Sequence, residues 1–510
     1  MNPLFLDAKM NSRRSVIVQS HETDWINSKP VFYNTKSKAV SPVMANVIDW
    51  SNLEFDPEGL YNYLCFGYQV FGQTAFKNVK LLRFSSKLVQ YRDENHSLRL
   101  EIEESPDPID EIEGKRSTVE EALHYLKSHV RTFELSSRDS HTNKRFLLPL
   151  SGGYDSRLLA TLIEDKSRID AFTYDISLSE KYSFETVLAR EICSRLGITW
   201  HEIALREYWN EGYVQKSFDS FCLEMPIHAA YHMEMYDQIV EKHGNEYIAL
   251  SGSVGDWWSG LKVPLSPPST FLDFDSLLFN HGISIPREFI KIKTDHSIKR
   301  HEFARNIERL KDDELFRIVF ARRGRIGLAT YIYRTAGHYF ETYTPFYDLS
   351  IAMSQLRLPP EKRMKRRWLQ DFFRDRQLGV EREKMIVSKE YGMDIKTAYY
   401  SLTSNELLSH PFLRDIVDSR RIEWINNQLM RIRKIPFPML SSASRSFFEI
   451  DNRLRLPGVG GFFGRGFDYL YRVVFGASNL EKALAEWTVL KPIELALRRA
   501  ENKVINVPKK

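Results

Sequence analysis

Within six positions, Ser151-Gly152-Gly153-Tyr154-Asp155-Ser156 groups two glycines, two serine hydroxyls and a carboxylate. Glycines let backbone N–H groups approach an anion closely, and the hydroxyls of Ser151 and Ser156 can donate to phosphate oxygens. A carboxylate is a poor direct ligand for phosphate, so Asp155 points to a divalent cation bridging it to the phosphates. The apolar run Phe146-Leu147-Leu148-Pro149-Leu150 precedes the glycines, and a helical pattern follows them. This frame is that of a strand, an anion-cradling turn and a helix N-terminus, whose dipole favours negative charge. A bare Ser-Gly-Gly is common in turns; the flanking strand, helix and Asp-Ser single this one out.

The elements that must position the turn alternate along the chain. Residues 118–133 read as an amphipathic helix with Val119, Ala122, Leu123, Leu126 and Val130 on one face. After the turn come a helix (156–163), a strand (170–174), a helix (183–196, stopped by Gly197), a strand (200–203), a helix (213–242) and a strand (246–250). Strands alternating with helices predict a parallel sheet covered on both faces, with ligand at the carboxyl ends of its strands. Residues 1–115 read as β-rich, with strand signals at 16–18, 80–84 and 98–103. Two prolines and like charges mark 105–113 as a linker. From about Leu261 the chain reads as helical; 480–499 is one long helix or two, with Pro492 interrupting or kinking it. The Gly-rich stretch 457–466 follows no convincing strand and reads as a mobile loop rather than a phosphate site. The expected architecture is α/β in three parts: a small β-rich domain (1–115), a parallel-sheet domain (116–395) and a helical C-terminal region (396–510).

Composition bounds the rest. Lys+Arg 72 against Asp+Glu 67 leaves a formal net charge of +5 over 510 residues, too small an excess to argue for nucleic acid. Cys65, Cys193 and Cys222 are widely spaced, which fits neither a disulfide framework nor a zinc site and favours a reducing, cytoplasmic setting. No uninterrupted apolar stretch is long enough to span a bilayer, and the start has no apolar region after its charges, so neither a transmembrane segment nor a secretory signal is expected. Peripheral membrane contact stays open. His228 and His232, four apart on a predicted helix, have no third ligand and read as structural.

Ser-Gly-Gly-x-Asp-Ser resembles the loop of the PP-loop ATP-pyrophosphatase superfamily, in particular the synthetase domain of the asparagine synthetases and their relatives, the β-lactam synthetases and lasso-peptide cyclases. Three further stretches are similar to that family in order. Leu250-Ser251-Gly252-Ser253-Val254-Gly255-Asp256 resembles its Ser-Gly-Glu-Gly-Ala-Asp-Glu loop. Glu341-Thr342-Tyr343-Thr344-Pro345-Phe346-Tyr347-Asp348 resembles Glu-x-Arg-x-Pro-Phe-Leu-Asp, and the basic segment 358–369 sits where the family has its Leu-Pro and Lys-x-x-Leu-Arg. Together they cover about residues 118 to 390. The resemblance implies an adenine nucleotide alpha hydrolase-like synthetase domain that uses ATP and Mg²⁺ to activate a carboxylate as an acyl-adenylate, releasing pyrophosphate, for attack by ammonia or an amine. By matching position, Leu150, Tyr174, Ser251 and Gly252 would contact the nucleotide, beside the loop residues Ser151, Gly152, Gly153 and Ser156. Asp155 and Asp256 would hold Mg²⁺, and Lys365 or Arg366 would stand for the lysine that stabilises the developing oxyanion.

The departures limit this implication. Ser253 replaces the family's glutamate (a tyrosine in β-lactam synthetases), and a serine without a visible base is a poor proton acceptor. Glu341 is the remaining acidic candidate. Trp257-Trp258 replaces Glu-Leu, as core packing or as a wall for a flat substrate. The basic run 362–376 reads either as a solvated helix face or as a phosphate or carboxylate contact. Residues 56–68 and 74–83 resemble the end of the family's glutaminase domain, yet position 2 is Asn2 instead of the nucleophilic cysteine, and Cys65 reads as core. The nitrogen is then expected from ammonia, a separate glutaminase or an amine, and the carboxylate is a small molecule, a peptide or a sugar acid. A nucleotide-binding subunit that has lost catalysis is the rival; adenylation for sulfur transfer to a nucleic acid base is disfavoured by the lack of paired cysteines.

Overall fold

The computed structural model describes residues 16–111, 116–139, 144–227, 229–260, 266–277, 283–324, 326–379, 386–389, 391–454 and 461–505. Among its described residues the N-terminal part holds six short strands: β1 (Val16–Glu22), β2 (Phe32–Asn34), β3 (Val40–Ser41), β4 (Val79–Leu81), β5 (Ser86–Arg92) and β6 (Leu98–Glu104). They form two antiparallel three-stranded sheets, β1-β5-β6 and β3-β2-β4. The segment read as a linker is packed where it is described. Ile109 is buried, and Asp107 accepts a two-pronged contact from buried Arg323, whose Nε also donates to Trp25 O at 2.9 Å. Asp107 therefore docks this segment, because a guanidinium fork matches a carboxylate.

The central sheet has the order β11-β10-β7-β8-β9, with β7 (Arg145–Pro149), β8 (Ile169–Tyr174), β9 (Thr199–Ile203), β10 (Tyr247–Leu250) and β11 (Glu341–Tyr343). Every neighbouring pair is parallel. Three-residue β11 was not anticipated, since it is too short to show an alternating pattern. Burial explains the strands' composition. Phe146, Leu148, Ile169, Ala171, Ile248 and Leu250 pack into one core, while Leu147, Phe172, Ile203 and Ala249 pack into the other, on the opposite face of the sheet. A strand covered on both sides has no polar face.

Strand order reverses between β7 and β10: the chain steps outward through β8 and β9, then returns to place β10 on the other side of β7. Ligands of open α/β sheets bind at the carboxyl side of such a reversal. At the amino side the sheet is clamped instead. Asp170 accepts from Arg145 Nε and Nη2 (2.6 and 2.7 Å) and from Tyr247 Oη (3.0 Å), so one buried carboxylate joins β7, β8 and β10.

One helical expectation changes, one open choice is decided and one loop expectation is corrected in part. The 213–242 helix is two helices, Glu211–Phe221 and Ala230–His243, separated by Cys222 at φ 51° and by Pro226, which disfavours helix at and before itself. Conversely, Ala477–Ile505 runs through Pro492 as one helix. Proline cannot donate to the carbonyl of residue 488, and that carbonyl instead accepts from Ile227 N at 3.0 Å. In the Gly-rich stretch, 457–460 lie outside the described residues, whereas 462–466 are not a loop but the start of helix Phe462–Phe475, with Gly461 at its N-cap.

Replacing Asp170 with alanine should lower unfolding stability by about 2–3 kcal/mol, because the hydrogen bonds that join β8 to β7 and β10 through its carboxylate are lost together. Urea unfolding measures this; an unchanged midpoint would show that the sheet does not depend on the clamp.

Candidate active site

Two loops leave the carboxyl ends of adjacent β7 and β10 and touch. A Cβ on Gly252 would lie 2.9 Å from Ser156 N, and one on Gly255 would lie 2.9 Å from Asp155 Oδ1, so the second loop can rest on the first only if both positions are glycine. Between them Val254 adopts φ 60°, an unfavourable backbone for a β-branched residue. Gly152 is set behind the turn, where a Cβ would meet Leu188 Cβ at 2.4 Å.

The loops line a cleft of about 990 Å³ that contains Leu150, Ser151, Gly153, Asp155, Ser156, Tyr174, Ser251, Gly252 and Asp256. Ser156 Oγ is buried in the first turn of helix Tyr154–Leu162 and has no hydrogen-bond partner. A buried hydroxyl without a partner is costly, and a phosphate oxygen would satisfy it. Tyr174 ends β8, with its ring edge-on to Tyr231 (5.5 Å) and His232 (5.9 Å); the residue after it, Asp175, accepts from buried Lys396 Nζ at 2.5 Å. His228 lies outside the described residues, and among those described no group of three potential metal-binding side chains occurs.

Arg366, far along the chain, reaches the first loop: its Nη1 donates to Asp155 Oδ1 (3.2 Å) and Oδ2 (3.1 Å). Lys365 and Arg366 both have positive φ (55° and 56°), a kink that buries Arg366 and leaves Lys365 exposed. Of the pair that sequence alone left open, Arg366 is thus the one beside the carboxylate. The rest of the basic run divides likewise: in helix Arg367–Asp375, Trp368, Leu369, Phe372 and Phe373 are buried and Arg374 is exposed. Burial pushes the Asp155 carboxyl up to about 7; Arg366 opposes that rise and the charge of Asp256 adds to it. Two carboxylates held this close favour a cation. The donor set therefore fits Mg²⁺, with Arg366 offsetting part of the charge in this arrangement.

Glu341 is not near this chemistry. It begins β11 at the amino end of the sheet, opposite Ile248, and its exposed carboxylate lies 3.6 Å from Lys144 Nζ. Parallel pairing requires this, because the strand that carries Thr344 and Pro345 towards the cleft starts at the far end. Ser253 Oγ donates to Ala329 O at 2.7 Å. Trp258 is core, fully buried with Nε1 on Phe346 O at 2.9 Å, whereas buried Trp257 borders the cleft.

Sequence reasoning missed Glu185, Tyr331, Asp394, Glu481 and Lys482, which also line the cleft. No local pattern flags them, since they come from four separated helices or loops. Burial pushes the Glu481 carboxyl up while Arg472, 3.4 Å away, opposes the rise. A separate cavity of about 160 Å³, bordered by Phe32, Phe71, Phe84 and Thr330, lies across helix Ile326–Ala336 from the cleft.

A parallel α/β sheet with a glycine-loop pair and paired carboxylates at its reversal point defines an α/β domain with its ligand cleft at the carboxyl ends of the strands. Residues 138–258, which span both loops, match the asparagine synthase family model, so the chain carries an asparagine synthetase-like domain. That family comprises ATP-dependent, amide-forming ligases. Apart from this domain match, no curated protein matches the chain. Among the described residues no helix is long and apolar enough to cross a membrane.

Asp155 titrates at about 7 when folded and near 3.9 when unfolded, so between these pH values the folded chain keeps a proton that the unfolded chain releases. Stability should therefore fall as pH rises through this window, by up to about 1.4 kcal/mol per pH unit. Magnesium-free urea unfolding across the window should show the slope in the native chain and a shallower one in Asp155→Asn; equal slopes would assign the titration elsewhere.

Proposed function

We infer that the protein is an asparagine synthase-like ligase that adenylates a carboxylate and transfers the acyl group to nitrogen. A carboxylate oxygen attacks the α-phosphorus of ATP, the bond to the β-phosphate breaks, and pyrophosphate leaves. The lone pair of ammonia or an amine then attacks the acyl carbon, AMP leaves with its electron pair, and a base takes the proton. The observation that carries this reading is the contact of the two loops, which gathers Asp155, Asp256 and the unpartnered Ser156 hydroxyl in one cleft, with Arg366 bonded to Asp155.

In this scheme Leu150, Tyr174, Ser251 and Gly252 hold the nucleoside, and Ser151, Gly152, Gly153 and Ser156 cradle the pyrophosphate. Asp155 and Asp256 would hold Mg²⁺, which when bound would supply positive charge against the leaving pyrophosphate. Arg366 rather than Lys365 stabilises charge developing on the reacting phosphate and acyl oxygens, acting as a planar donor within the buried site. Ser253 is occupied by Ala329 O, so the proton acceptor is another group; the Glu481 carboxylate, held in the cleft, has the right chemistry. The carboxylate substrate is a small molecule, a peptide or a sugar acid. Its nitrogen comes from ammonia, a partner glutaminase or an amine.

A second reading, a nucleotide-binding subunit that has lost catalysis, is favoured by one arrangement: Ser253 bonded to backbone and Arg366 bonded to Asp155. Incubation with ATP, Mg²⁺ and pooled acids separates the two. The ligase reading requires acid-dependent release of pyrophosphate and AMP, abolished in Asp155→Ala. Arg366→Ala should slow it about 100-fold or more, whereas Lys365→Ala should change it little. ATP binding without pyrophosphate release from any acid would overturn the ligase reading.

A further inference from the structure

Nine of the nineteen exposed large hydrophobic side chains among the described residues lie on two helices, Phe437–Leu454 and Phe462–Phe475. The second helix is inverted relative to an ordinary surface helix. Phe462, Tyr469, Leu470, Val473 and Val474, spaced along one face, are 62%, 72%, 56%, 61% and 62% exposed, while its one acid, Asp468, is buried. Asp468 accepts from Ser388 Oγ (2.6 Å) and Ser444 Oγ (3.2 Å). The first helix adds Met439, Ile450 and Leu454 to the exposed surface.

The apolar face is not produced by loose packing. Asp451 accepts from Phe463 N (3.1 Å) and Gly464 N (2.7 Å), fastening the start of one helix to the end of the other. A Cβ at Gly464 would lie 2.6 Å from the Phe448 ring, so the helices cross in close contact. The fold therefore spends its polar groups inward and presents its apolar groups outward, on a seated pair of helices.

Charge selects the occupant. Between residues 431 and 472 there are eight lysines and arginines against three acids, so this stretch carries the chain's whole formal excess of +5. Two of those acids are buried as hydrogen-bond acceptors, and the third, Glu449, lies 3.7 Å from Lys181. Exposed Lys434, Arg453 and Arg465 accompany the apolar residues. Apolar and aromatic side chains bordered by cations are the chemistry of a helix lying in the interface of an anionic bilayer.

We propose that helices Phe437–Leu454 and Phe462–Phe475 dock the protein on an anionic lipid surface, with the exposed face of Phe462–Phe475 entering the headgroup region. The next helix begins immediately after Gly476, and its Ser478, Glu481 and Lys482 line the nucleotide cleft. Docking would thus set the cleft wall directly behind the membrane face. This inference does not depend on the reaction taking place in the cleft.

The full chain should sediment with vesicles of phosphatidylcholine and phosphatidylglycerol at least about tenfold better than with phosphatidylcholine alone, and less well as salt is raised. The double variant L470E/V473E should lose that binding. Because the three native cysteines are buried, V473C offers a selective site for an environment-sensitive fluorophore, whose emission should shift to the blue on anionic vesicles. If the glutamate variant does not fold, K434E/R453E leaves the apolar face intact and should still weaken anionic binding. Absence of vesicle binding, or unchanged fluorophore emission, would overturn the proposal; a dimer abolished by L470E without vesicle binding would assign the face to a second copy of the chain.

Discussion

The site depends on one constraint: β7 and β10 are parallel neighbours although about a hundred residues separate them, so the loops leaving their carboxyl ends must share one space. Gly252 and Gly255 let that space close until the backbone of one loop rests on Asp155 and Ser156 of the other. Carboxylates from both loops then meet in a poorly solvated cleft, and charge must be supplied to balance them. Arg366 supplies part of it from a third segment.

That requirement accounts for the local strain. Val254, Lys365 and Arg366 all take positive φ, and each flanks the same acidic pair: Val254 turns the second loop onto the first, and the 365–366 kink aims Arg366 inward. Unfavourable backbone of this kind persists where surrounding packing over-determines it. The packing here comes from both faces of the sheet, and the Asp170 clamp holds the strands at their opposite ends. One end of the sheet is thus tied internally by hydrogen bonds, while the other carries the cleft and the unpartnered Ser156 hydroxyl.

Much of the fold was legible because its signals are local. The 118–133 face, the Gly197 stop and the apolar runs of β7, β8 and β10 each follow from a short periodicity or one turn residue. What local pattern left wrong or open has equally specific causes. The break at Cys222–Pro226 was overlooked within a long apolar pattern, whereas Pro492 did not break its helix because Ile227 N takes up the freed carbonyl. That compensating contact joins residues more than 250 positions apart, beyond any local window.

For the candidate site, sequence alone determined the residue types grouped on the two loops, since Ser-Gly-Gly-x-Asp-Ser and the second glycine loop are contiguous strings whose chemistry lies in their spacing. Only the tertiary structure decided which distant groups join them. It brought Arg366 rather than Lys365 to Asp155, sent Glu341 to the far end of the sheet, and added Glu481 from the last helix. These are consequences of strand direction, a backbone kink and helix packing, which no single stretch of sequence encodes.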